Sequence, residues 1–360
     1  LSLMQNKKND KKTIGIIFGG SSNEHDVSIE SAKTIYSSLT ESKNKNTYDV
    51  NVFYINKHGE WFSNEKSTLL LKNQKTHYEL FNKKNFIHNK LNFLENIDFS
   101  KVEIWFPILH GLNGEDGTIH GLLKLTKKPI IGSGVLGSCL GMDKISMKTI
   151  FSQSNIPQVK YIQITNFDSD NNEFLNLKIK EIIDQLKFPI FIKPSNSGSS
   201  LGISRVTNKE SILRALLKAA KIDSRIIIEE GLNVRELECG VIGNTKLETT
   251  VIGEVEYSSE WYDYESKYQS NSKIMIPAEL DSDVKKKIKN LTVKACDLLD
   301  ISGFARADFF LERSTNRIYL NEINTIPGFT EKSMFPMLWK ASGLDIYQLV
   351  AKLVDMASDK

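Results

Sequence analysis

Two apolar segments near residue 310 carry polar side chains at alternate positions. Gly303–Glu312 and Arg317–Asn324 predict two strands joined by a turn at 314–316. Successive side chains of a strand point to opposite faces, so one cation and three hard oxygen donors share a face of this hairpin, where burial would be costly. They are typical of a Mg²⁺ site, which takes carboxylate oxygens and nucleotide phosphates, although a solvent-exposed face with a surface salt bridge is the alternative. The residues are Arg306, Asp308, Glu322 and Asn324, with Phe310 on the same face as Arg306 and Asp308.

The N-terminal part of the chain alternates short apolar strands with helices. Strands are predicted at Thr13–Phe18, Asp49–Ile55 and Glu103–Leu109, and a helix is predicted at Ile119–Leu125. Such alternation is typical of a parallel sheet in an α/β fold. Residues 63–98 are rich in Asn and Lys and are interpreted as a variable insertion. The helix after the first strand should face inward with Val27, Ala32, Ile35 and Leu39.

The rest of the chain continues with strands and helices and has no internal repeat. Its 360 residues suggest two or three domains. A polar loop is expected at Tyr257–Lys273, and two helices should end the chain. Further helices are predicted at Lys144–Ser154, Glu173–Leu186, Lys209–Ala220 and Asp281–Leu299, and strands at Ile190–Lys193 and Arg225–Glu229.

Charge and cysteine content narrow the class of protein. The net charge of +3 is accounted for by Lys7, Lys8, Lys11 and Lys12 against Asp10, so it indicates a basic tail and gives no support for nucleic-acid binding. No apolar run approaches the ~20 residues of a membrane span. The three cysteines lie far apart without a CxxC pair and favour a reducing compartment. We therefore expect a cytoplasmic protein that binds neither nucleic acid nor membrane.

Residues 193–202 form a loop of serines and glycines after a predicted strand. Small residues let backbone N–H groups approach phosphate oxygens closely, and Lys193 adds a positive charge. The GxxxxGK[ST] pattern of a Walker loop is absent. Taken alone, the segment is either a phosphate-binding loop or a flexible polar loop.

Two further glycine-rich segments also follow predicted strands, where α/β sheets usually bind ligands. HGLNGEDG at 110–117 has three glycines, which free the backbone to wrap a small polar molecule. GGSSNEHD at 19–26 lacks GxGxxG, and its Glu24 either holds a substrate ammonium group or serves as a charge at a helix N-terminus. The six histidines form no HExxH-like cluster, so no zinc site is expected.

Together these segments resemble the D-alanine:D-alanine ligase family of the ATP-grasp superfamily. The resemblance runs from about Thr13 to the C-terminus and includes GGSSNEHDVS, HGLNGEDG, GMDK, KPSNSGSSLG, WYDYESKY, GFARADFFLE and NEINTIPGFTEKS. It implies a three-domain α/β fold with a Rossmann-like N-terminal domain built on a parallel sheet. ATP would lie between two antiparallel sheets of the central and C-terminal domains. The implied boundaries are a disordered tail at 1–12, a substrate domain at 13–136 and ATP-grasp subdomains at 137–229 and 230–360.

The resemblance also implies the residues of the ATP site. Two Mg²⁺ ions, with Mn²⁺ as an alternative, would be held by Asp308, Glu322 and Asn324. Lysines and the glycine-serine loop would contact the phosphates, and the segment from Glu229 onward would bind the nucleoside. By motif position the ATP-binding residues are Lys144, Lys193, Ser199, Ser200, Lys267, Glu229, Glu230, Leu232, Glu236 and Phe310.

The implied amino-acid sites come from the remaining motifs. Glu24 would hold the first D-alanine near His110, and Ser333 and Met334 would meet the carboxylate of the second. Arg306 and the backbone at Gly328 would stabilise the oxyanion of the ligation step. The residues expected to act in catalysis are Glu24, Ser199, Tyr268, Arg306 and Ser333, of which Glu24, Ser199 and Tyr268 would form a hydrogen-bonded set that closes the site.

The family implies ligation of two D-alanines by way of an acylphosphate, with ADP and phosphate released, for peptidoglycan precursor synthesis. Family members are usually homodimers. Two alternatives stay open at this point. In the first, the second substrate would be D-lactate or D-serine, although Tyr268 is typical of ligases that use an amino acid. In the second, the chain would be an inactive nucleotide-sensing module, which would be expected to lack a metal carboxylate, Lys193 or Arg306.

Overall fold

The structure is a computed structural model that describes residues 11–72, 98–256 and 273–359. Lys267, Tyr268, nearly all of the polar loop at 257–273 and most of the 63–98 insertion lie outside these ranges, as does the expected tail except Lys11 and Lys12. Among the described residues, no helix combines the length and apolar composition that crossing a membrane requires.

A three-stranded parallel sheet forms the N-terminal part of the fold. β1 (Lys12–Gly19) lies between β2 (Tyr48–Ile55) and β3 (Ile104–Pro107). Because β1 is central, its residues from Ile14 to Phe18 are buried on both faces, which explains its continuous apolar run. The strands predicted here are confirmed, and so is the parallel sheet.

Helices surround this sheet. α1 (His25–Thr40) buries Ala32, Ile35 and Leu39 as expected, whereas Val27 is only half-buried and Ile29 takes the inward position. α2 (Asn64–Lys72) occupies the start of the region interpreted as an insertion, and its Leu70 and Leu71 join the core. The interpretation of 63–98 as a variable insertion stays a prediction. Further helices among the described residues of this part are α3 (Thr118–Lys124) and α4 (Val135–Met142).

The central sheet is antiparallel, with strand order β4-β7-β5-β6. Isoleucines at alternate positions of β5 and β7 pack against the helices of one face. Lys193 and Glu229 therefore fall on the opposite face. The elements are α5 (Lys144–Gln153), β4 (Tyr161–Ile164), α6 (Asn172–Gln185), β5 (Ile190–Pro194), β6 (Ser204–Val206), α7 (Ile212–Ala220) and β7 (Ile226–Glu230).

The C-terminal sheet is also antiparallel, with strand order β10-β9-β8-β11-β12. α8 covers one face, where Ala305, Ala307 and Phe309 are buried with Ile288 and Cys296. The polar residues of β11 point to the other face. The elements are β8 (Val234–Gly243), β9 (Glu248–Glu256), β10 (Lys273–Met275), α8 (Ser282–Leu298), β11 (Gly303–Glu312), β12 (Ile318–Asn324), α9 (Met334–Ala341) and α10 (Ile346–Ser358).

β11 and β12 form the predicted hairpin. Arg306 lies opposite Asn324, and Asp308 lies opposite Glu322. The register shifts between Asp308 and Phe309, so the alignment holds on the side of the polar residues. The hairpin thus brings the predicted cation and oxygen donors to one place on the sheet.

The elements that were not predicted include α4, β4 and β6. α4 contains Gly137 and Gly141, which weaken a helix on propensity. A Cβ at these positions would lie 2.4 Å from the Asp300 carbonyl oxygen and 2.5 Å from a Thr325 methyl group. Tertiary packing therefore selects glycine here, and local pattern carries no signal for it. β4 and β6 have four and three residues, too few for a clear period.

Candidate active site

Arg306 lies at the centre of the polar face of β8, β11 and β12. Its guanidinium donates two hydrogen bonds of 2.7 Å to the carboxylate of Asp308 and lies 2.8 Å from Glu238. Burial alone would lower the pKa of Arg306, but Asp308 and Glu238 outweigh it and hold this pKa well above its usual value. The arginine therefore stays charged, with its side chain held in place by two carboxylates.

The donor set next to Arg306 suits a hard divalent cation. The carboxylates of Asp308 and Glu322 come from directly paired strand positions. Asn324 donates its amide N–H to Asp308 at 2.8 Å, which directs its amide oxygen to the other side. Among the described residues no group of three or more His, Cys, Asp or Glu side chains is arranged around a metal position. Two carboxylates and one amide oxygen leave room for phosphate oxygens, as Mg²⁺ requires.

Two lysines face this donor set from the central part of the chain. Lys144 opens α5, and its ammonium lies 3.3 Å from Glu322 and donates to the Ser197 carbonyl at 2.9 Å. Lys193, at the end of β5, lies 2.5 Å from Glu229. Burial would lower the pKa of Lys193, but Glu229, Glu322 and Glu236 outweigh it and raise this pKa. Because Glu236 and Glu322 belong to the C-terminal sheet, the two antiparallel sheets face each other across these lysines.

The predicted nucleoside residues lie where the chain passes from one antiparallel sheet to the other. Glu229 is buried between Lys193 and Lys148, with the second contact 2.8 Å long. Burial opposes its ionisation, but the two lysines outweigh this and lower the pKa of Glu229 to about 2. The half-buried Leu232 lies in the link between β7 and β8. Glu236 is paired with Phe310 across the sheet, and Glu230 accepts the Lys187 N–H at 3.1 Å.

The glycine-serine loop has a fixed base and an irregular tip. Asn196 hydrogen-bonds to Asp143 at 2.8 Å and to Asp223 at 2.9 Å, and Arg225 forms an ion pair with Asp143 at 2.9 Å. At the tip, Ser199 and Ser200 have φ angles of 48° and 57°, a left-handed conformation that is uncommon outside glycine. The tip therefore exposes backbone groups in a way that a regular strand or helix would not.

Glu24 lies where the first and central parts of the chain meet. A Cβ placed on Gly111 or on Gly198 would come within 2.8 or 2.9 Å of its carboxylate oxygen. The carboxylate thus lies between the HGLNGEDG segment and the glycine-serine loop, and a larger residue at either glycine would require it to move. Three predicted motifs are brought together at one carboxylate, with the buried Ser199 next to Gly198. Tyr268, the third expected partner, lies outside the described residues.

His110 is buried beside Glu24 and is held by protein groups on both ring nitrogens. Nδ1 lies 2.9 Å from the Ile326 carbonyl oxygen and Nε2 lies 3.0 Å from the Ser31 hydroxyl. Its own carbonyl accepts a hydrogen bond of 2.6 Å from Ser22. The structure therefore places the imidazole between α1, which carries Ser31, and the segment after β12. Its expected contact with substrate stays a prediction.

Gly328 and Ser333 lie together in the segment between β12 and α9. A Cβ on Gly328 would come within 2.8 Å of the Ser333 hydroxyl oxygen, so a larger residue here would require Ser333 to move. The hydroxyl also accepts the Thr330 N–H at 3.1 Å, and Ser333 is the residue immediately before α9. The Met334 side chain is buried and packs where β9 has Gly253.

The two halves of the sequence match two family profiles. Residues 13–133 match the family described as D-ala D-ala ligase N-terminus, and residues 150–355 match the family described as D-ala D-ala ligase C-terminus. The chain belongs to the D-ala D-ala ligase family. Membership implies the use of ATP and of a divalent metal ion, in agreement with the oxygen donor set and the facing lysines.

Full-length relatives agree with the assignment to this ligase family. A protein named D-alanine–D-alanine ligase from Prochlorococcus marinus strain MIT 9312 is 60% identical over 349 residues, covering 97% of this chain and 98% of its own. The structure of the D-alanine-D-alanine ligase from Coxiella burnetii superposes with a TM-score of 0.78 at 29% identity, covering 97% and 94%. The VanG D-Ala:D-Ser ligase from Enterococcus faecalis gives a TM-score of 0.80 at 33% identity, covering 96% and 99%. The ATP-grasp fold predicted for this chain is confirmed.

Three charged residues of this ligase site were not predicted, namely the buried Lys148 and Glu115 and the half-buried Glu238. Lys148 stands four residues after Lys144 on α5, a spacing that places both on one helix face, and this spacing was an available signal. Glu238 continues the alternation from Glu236 along β8. Glu115 lies inside HGLNGEDG and accepts backbone N–H groups from Gly111 at 2.8 Å and Ile326 at 3.1 Å. Burial and the neighbouring Glu24 raise the pKa of Glu115 to about 8.

Proposed function

We propose that this protein joins two D-alanines into D-alanyl-D-alanine, with ATP converted to ADP and phosphate, and that it serves peptidoglycan precursor synthesis in the cytoplasm as a homodimer. The observation that carries the proposal is that Glu24, Lys144, Lys193 and Arg306, assigned from separate motifs, converge around one site. Relatives named D-alanine–D-alanine ligase at 58–60% identity over nearly the whole chain support the same function.

In the first step the chain holds one D-alanine and the ATP phosphates. Glu24 pairs with the ammonium group of the amino acid, whose carboxylate oxygen attacks the terminal phosphorus and displaces ADP. Lys144 and Lys193 offset negative charge on the phosphates as they are transferred. The nucleoside is bound along the link between the two antiparallel sheets. This pocket would be formed by Glu229, Glu230, Leu232, Glu236 and Phe310, with Ser199 and Ser200 of the loop over the phosphates.

Asp308, Glu322 and Asn324 would hold two Mg²⁺ ions, or Mn²⁺ in their place, which would neutralise phosphate charge. In the second step the amine of the second D-alanine attacks the carbonyl carbon of the acylphosphate, and phosphate leaves. Arg306 and the Gly328 N–H stabilise the oxyanion, where each donor is typically worth about 3 kcal/mol. Ser333 and Met334 position the second carboxylate, and His110 lies beside the first substrate. Lys267 and Tyr268 are proposed to complete the phosphate contact and the closed site.

The alternatives have less support. The sensing module would lack a metal carboxylate, Lys193 or Arg306, but all of these are present and converge. Use of D-serine or D-lactate as the second substrate is outweighed by the relatives of higher identity, which are named for D-alanine alone.

Product analysis tests the proposal. The protein is incubated with ATP, Mg²⁺ and D-alanine, and dipeptide, ADP and phosphate are quantified by mass spectrometry and nucleotide chromatography. We expect one ADP for each D-alanyl-D-alanine. Parallel reactions add D-serine, D-lactate or L-alanine, and D-alanine should remain the preferred second substrate. Release of AMP and pyrophosphate, or preferred formation of a mixed product, would refute the proposal.

A further inference from the structure

The backbone between β12 and Gly328 is held by side chains from a distant part of the chain. Glu115 accepts the Ile326 N–H at 3.1 Å, and His110 contacts the Ile326 carbonyl oxygen at 2.9 Å. On the other side of Gly328, the Ser31 hydroxyl oxygen accepts the Phe329 N–H at 3.0 Å. Ser31, His110 and Glu115, which we call the clasp, thus bracket the residue whose N–H is assigned to the oxyanion.

The hydrogen-bond directions within the clasp form one consistent arrangement. A carbonyl oxygen only accepts, so Nδ1 of His110 must carry the hydrogen that points to Ile326. Nε2 is then free to accept the hydroxyl hydrogen of Ser31, 3.0 Å away. The lone pairs of that hydroxyl remain for the Phe329 N–H. Each member orients the next, so the loss of Ser31 would disturb both His110 and Phe329.

Water cannot easily replace these bonds. Ser31 is fully buried, His110 is 3% exposed and Glu115 is 9% exposed. A buried backbone group that loses its partner keeps the whole cost of desolvation. The segment would therefore shift to satisfy Ile326 or Phe329 in another way, and Gly328 between them would move with it.

The aromatic packing of Phe329 does not fix the backbone in the same way. Its ring lies against Phe106, Phe304 and Phe335 with centroid separations between 5.5 and 6.2 Å. Ring packing holds the side chain in the core but leaves the direction of the neighbouring N–H groups open. The hydrogen bonds at Ile326 and Phe329 are directional, so they fix the orientation of these backbone N–H groups.

We infer that Ser31, acting through the clasp, is a positioning residue for the second step of the reaction, because it holds the Ile326–Phe329 segment so that the Gly328 N–H and Ser333 meet the reacting carbonyl and the second D-alanine. The inference rests on the proposed ligase function. Phosphoryl transfer uses Lys144, Lys193 and the metal donors, none of which belongs to this segment. A loosened clasp should therefore impair ligation and spare acylphosphate formation.

An acylphosphate that the second D-alanine does not attack is hydrolysed by water instead. Water adds its oxygen to the carbonyl carbon, the bond from that carbon to the phosphate oxygen breaks, and D-alanine and phosphate are released with one proton to solvent. The net reaction is ATP hydrolysis without dipeptide. The ratio of ADP to D-alanyl-D-alanine therefore reports how well the segment is positioned, whereas a general loss of folded protein lowers both products equally.

The test compares Ser31→Ala with Ser38→Ala in the full chain. Ser38 is on the same helix and is also buried, but its hydroxyl donates to the Thr34 carbonyl within that helix at 2.6 Å. We expect a ratio near one for the unmodified protein and for Ser38→Ala, and a rise of about tenfold for Ser31→Ala. KM for the second D-alanine should rise in Ser31→Ala, and KM for ATP should stay within a factor of about two.

Glu115→Gln gives a second variant at the other end of the clasp. Glutamine keeps the size but has one acceptor oxygen, so either Gly111 or Ile326 loses a partner and the ratio should again rise. If the unmodified protein makes dipeptide while both variants keep a ratio of one, the clasp is merely structural and the inference is wrong. If the unmodified protein makes no dipeptide, the proposed function fails and the inference fails with it.

Discussion

Glu322 lies between the proposed metal donors and the lysines proposed to contact phosphate. Its carboxylate lies opposite Asp308 and 3.3 Å from the Lys144 ammonium, and it is proposed to serve as a ligand of both metal ions. We predict that Glu322→Gln keeps the fold and most nucleotide binding but lowers kcat by about 100-fold or more, because phosphoryl transfer loses charge stabilisation of several kcal/mol. Steady-state kinetics across a Mg²⁺ titration measures this, and excess Mg²⁺ should rescue activity only in part.

Glu312→Gln is the matched control for this substitution. Glu312 ends β11 on the same hairpin, where its carboxylate accepts from Ser314 at 3.3 Å in the turn, away from the donor set. Its kcat should stay near that of the unmodified protein. Near-normal turnover of Glu322→Gln at ordinary Mg²⁺ would show that Glu322 is not a bridging ligand.

Glu115 makes the stability of the protein depend on pH. Burial and Glu24 raise its pKa from 4.5 to about 8 and outweigh the two N–H groups that it accepts. Between these values the folded protein binds more protons than the unfolded chain, so this group lowers the free energy of unfolding as pH rises, by up to about 1.4 kcal/mol per pH unit. The decrease in the free energy of unfolding begins near the pKa of Glu115 in the unfolded chain and is complete above its pKa in the folded protein.

Urea unfolding of the protein and of Glu115→Gln across this pH range tests the prediction. The free energy of unfolding should decline more steeply with pH in the unmodified protein, because glutamine does not titrate. Parallel pH profiles for the two proteins would show that Glu115 has an ordinary pKa.

At the scale of elements, the glycine-serine loop combines a fixed base with a tip expected to close over the phosphates. Asn196, Asp143 and Arg225 hold the base, while Ser199 and Ser200 adopt left-handed backbone angles. We predict that protease cuts near 198–201 in the absence of ligand and that ATP with a D-alanine analogue suppresses cleavage. Asn196→Ala should be cleaved faster, because the base loses the side-chain amide bonds to Asp143 and Asp223 and keeps only the backbone N–H bond to Asp223.

Asn208→Ala is the control variant, which shows whether the loss of any asparagine side chain changes the rate of cleavage. Its side chain accepts the Ser211 N–H at 3.1 Å after the next strand, so cleavage near 198–201 should not change. If ATP and the D-alanine analogue leave cleavage unchanged, the loop does not close over ligand. If Asn196→Ala and Asn208→Ala are cleaved at equal rates, Asn196 does not anchor the loop.

Elements with a clear period could be predicted from the sequence, and elements held by tertiary contacts could not. The alternation in β11 and β12 correctly placed their polar side chains on one face, because side chains two residues apart share a face of a strand. The register that sets Asp308 opposite Glu322 came only from the structure. α4 gave no such signal, since its glycines are explained only by the backbone of Asp300 and by Thr325.

The same limit applies to the site. Glycine-rich segments at strand ends identified the neighbourhood of Glu24. The pairing of Glu115 with Ile326 joins residues 211 positions apart, and a local pattern contains no information about it. Buried Lys148 differs, because its spacing from Lys144 was an available signal that was not used, whereas its pairing with Glu229 on another element could not be read from a local pattern.

At the scale of the whole molecule, the site exists only where three sheets approach one another. Glu24 follows the parallel sheet, Lys193 ends a strand of the central sheet and Arg306 lies on the C-terminal sheet. The link between β7 and β8 is at 231–233, just after the predicted boundary at 229–230, and the domain limits stay a prediction. Each of the three sheets contributes different site residues, so no single sheet with its helices would carry the proposed activity alone.

The central claim is that an amino-acid carboxylate is phosphorylated by ATP and then attacked by a second D-alanine. The most direct measurement uses D-alanine with heavy oxygen in its carboxylate, followed by mass spectrometry of the released phosphate. An acylphosphate route transfers one carboxylate oxygen to phosphate for each dipeptide formed, because the carbon–oxygen bond breaks in the second step. We predict one labelled phosphate per D-alanyl-D-alanine. Unlabelled phosphate, or heavy oxygen recovered in AMP, would contradict the account.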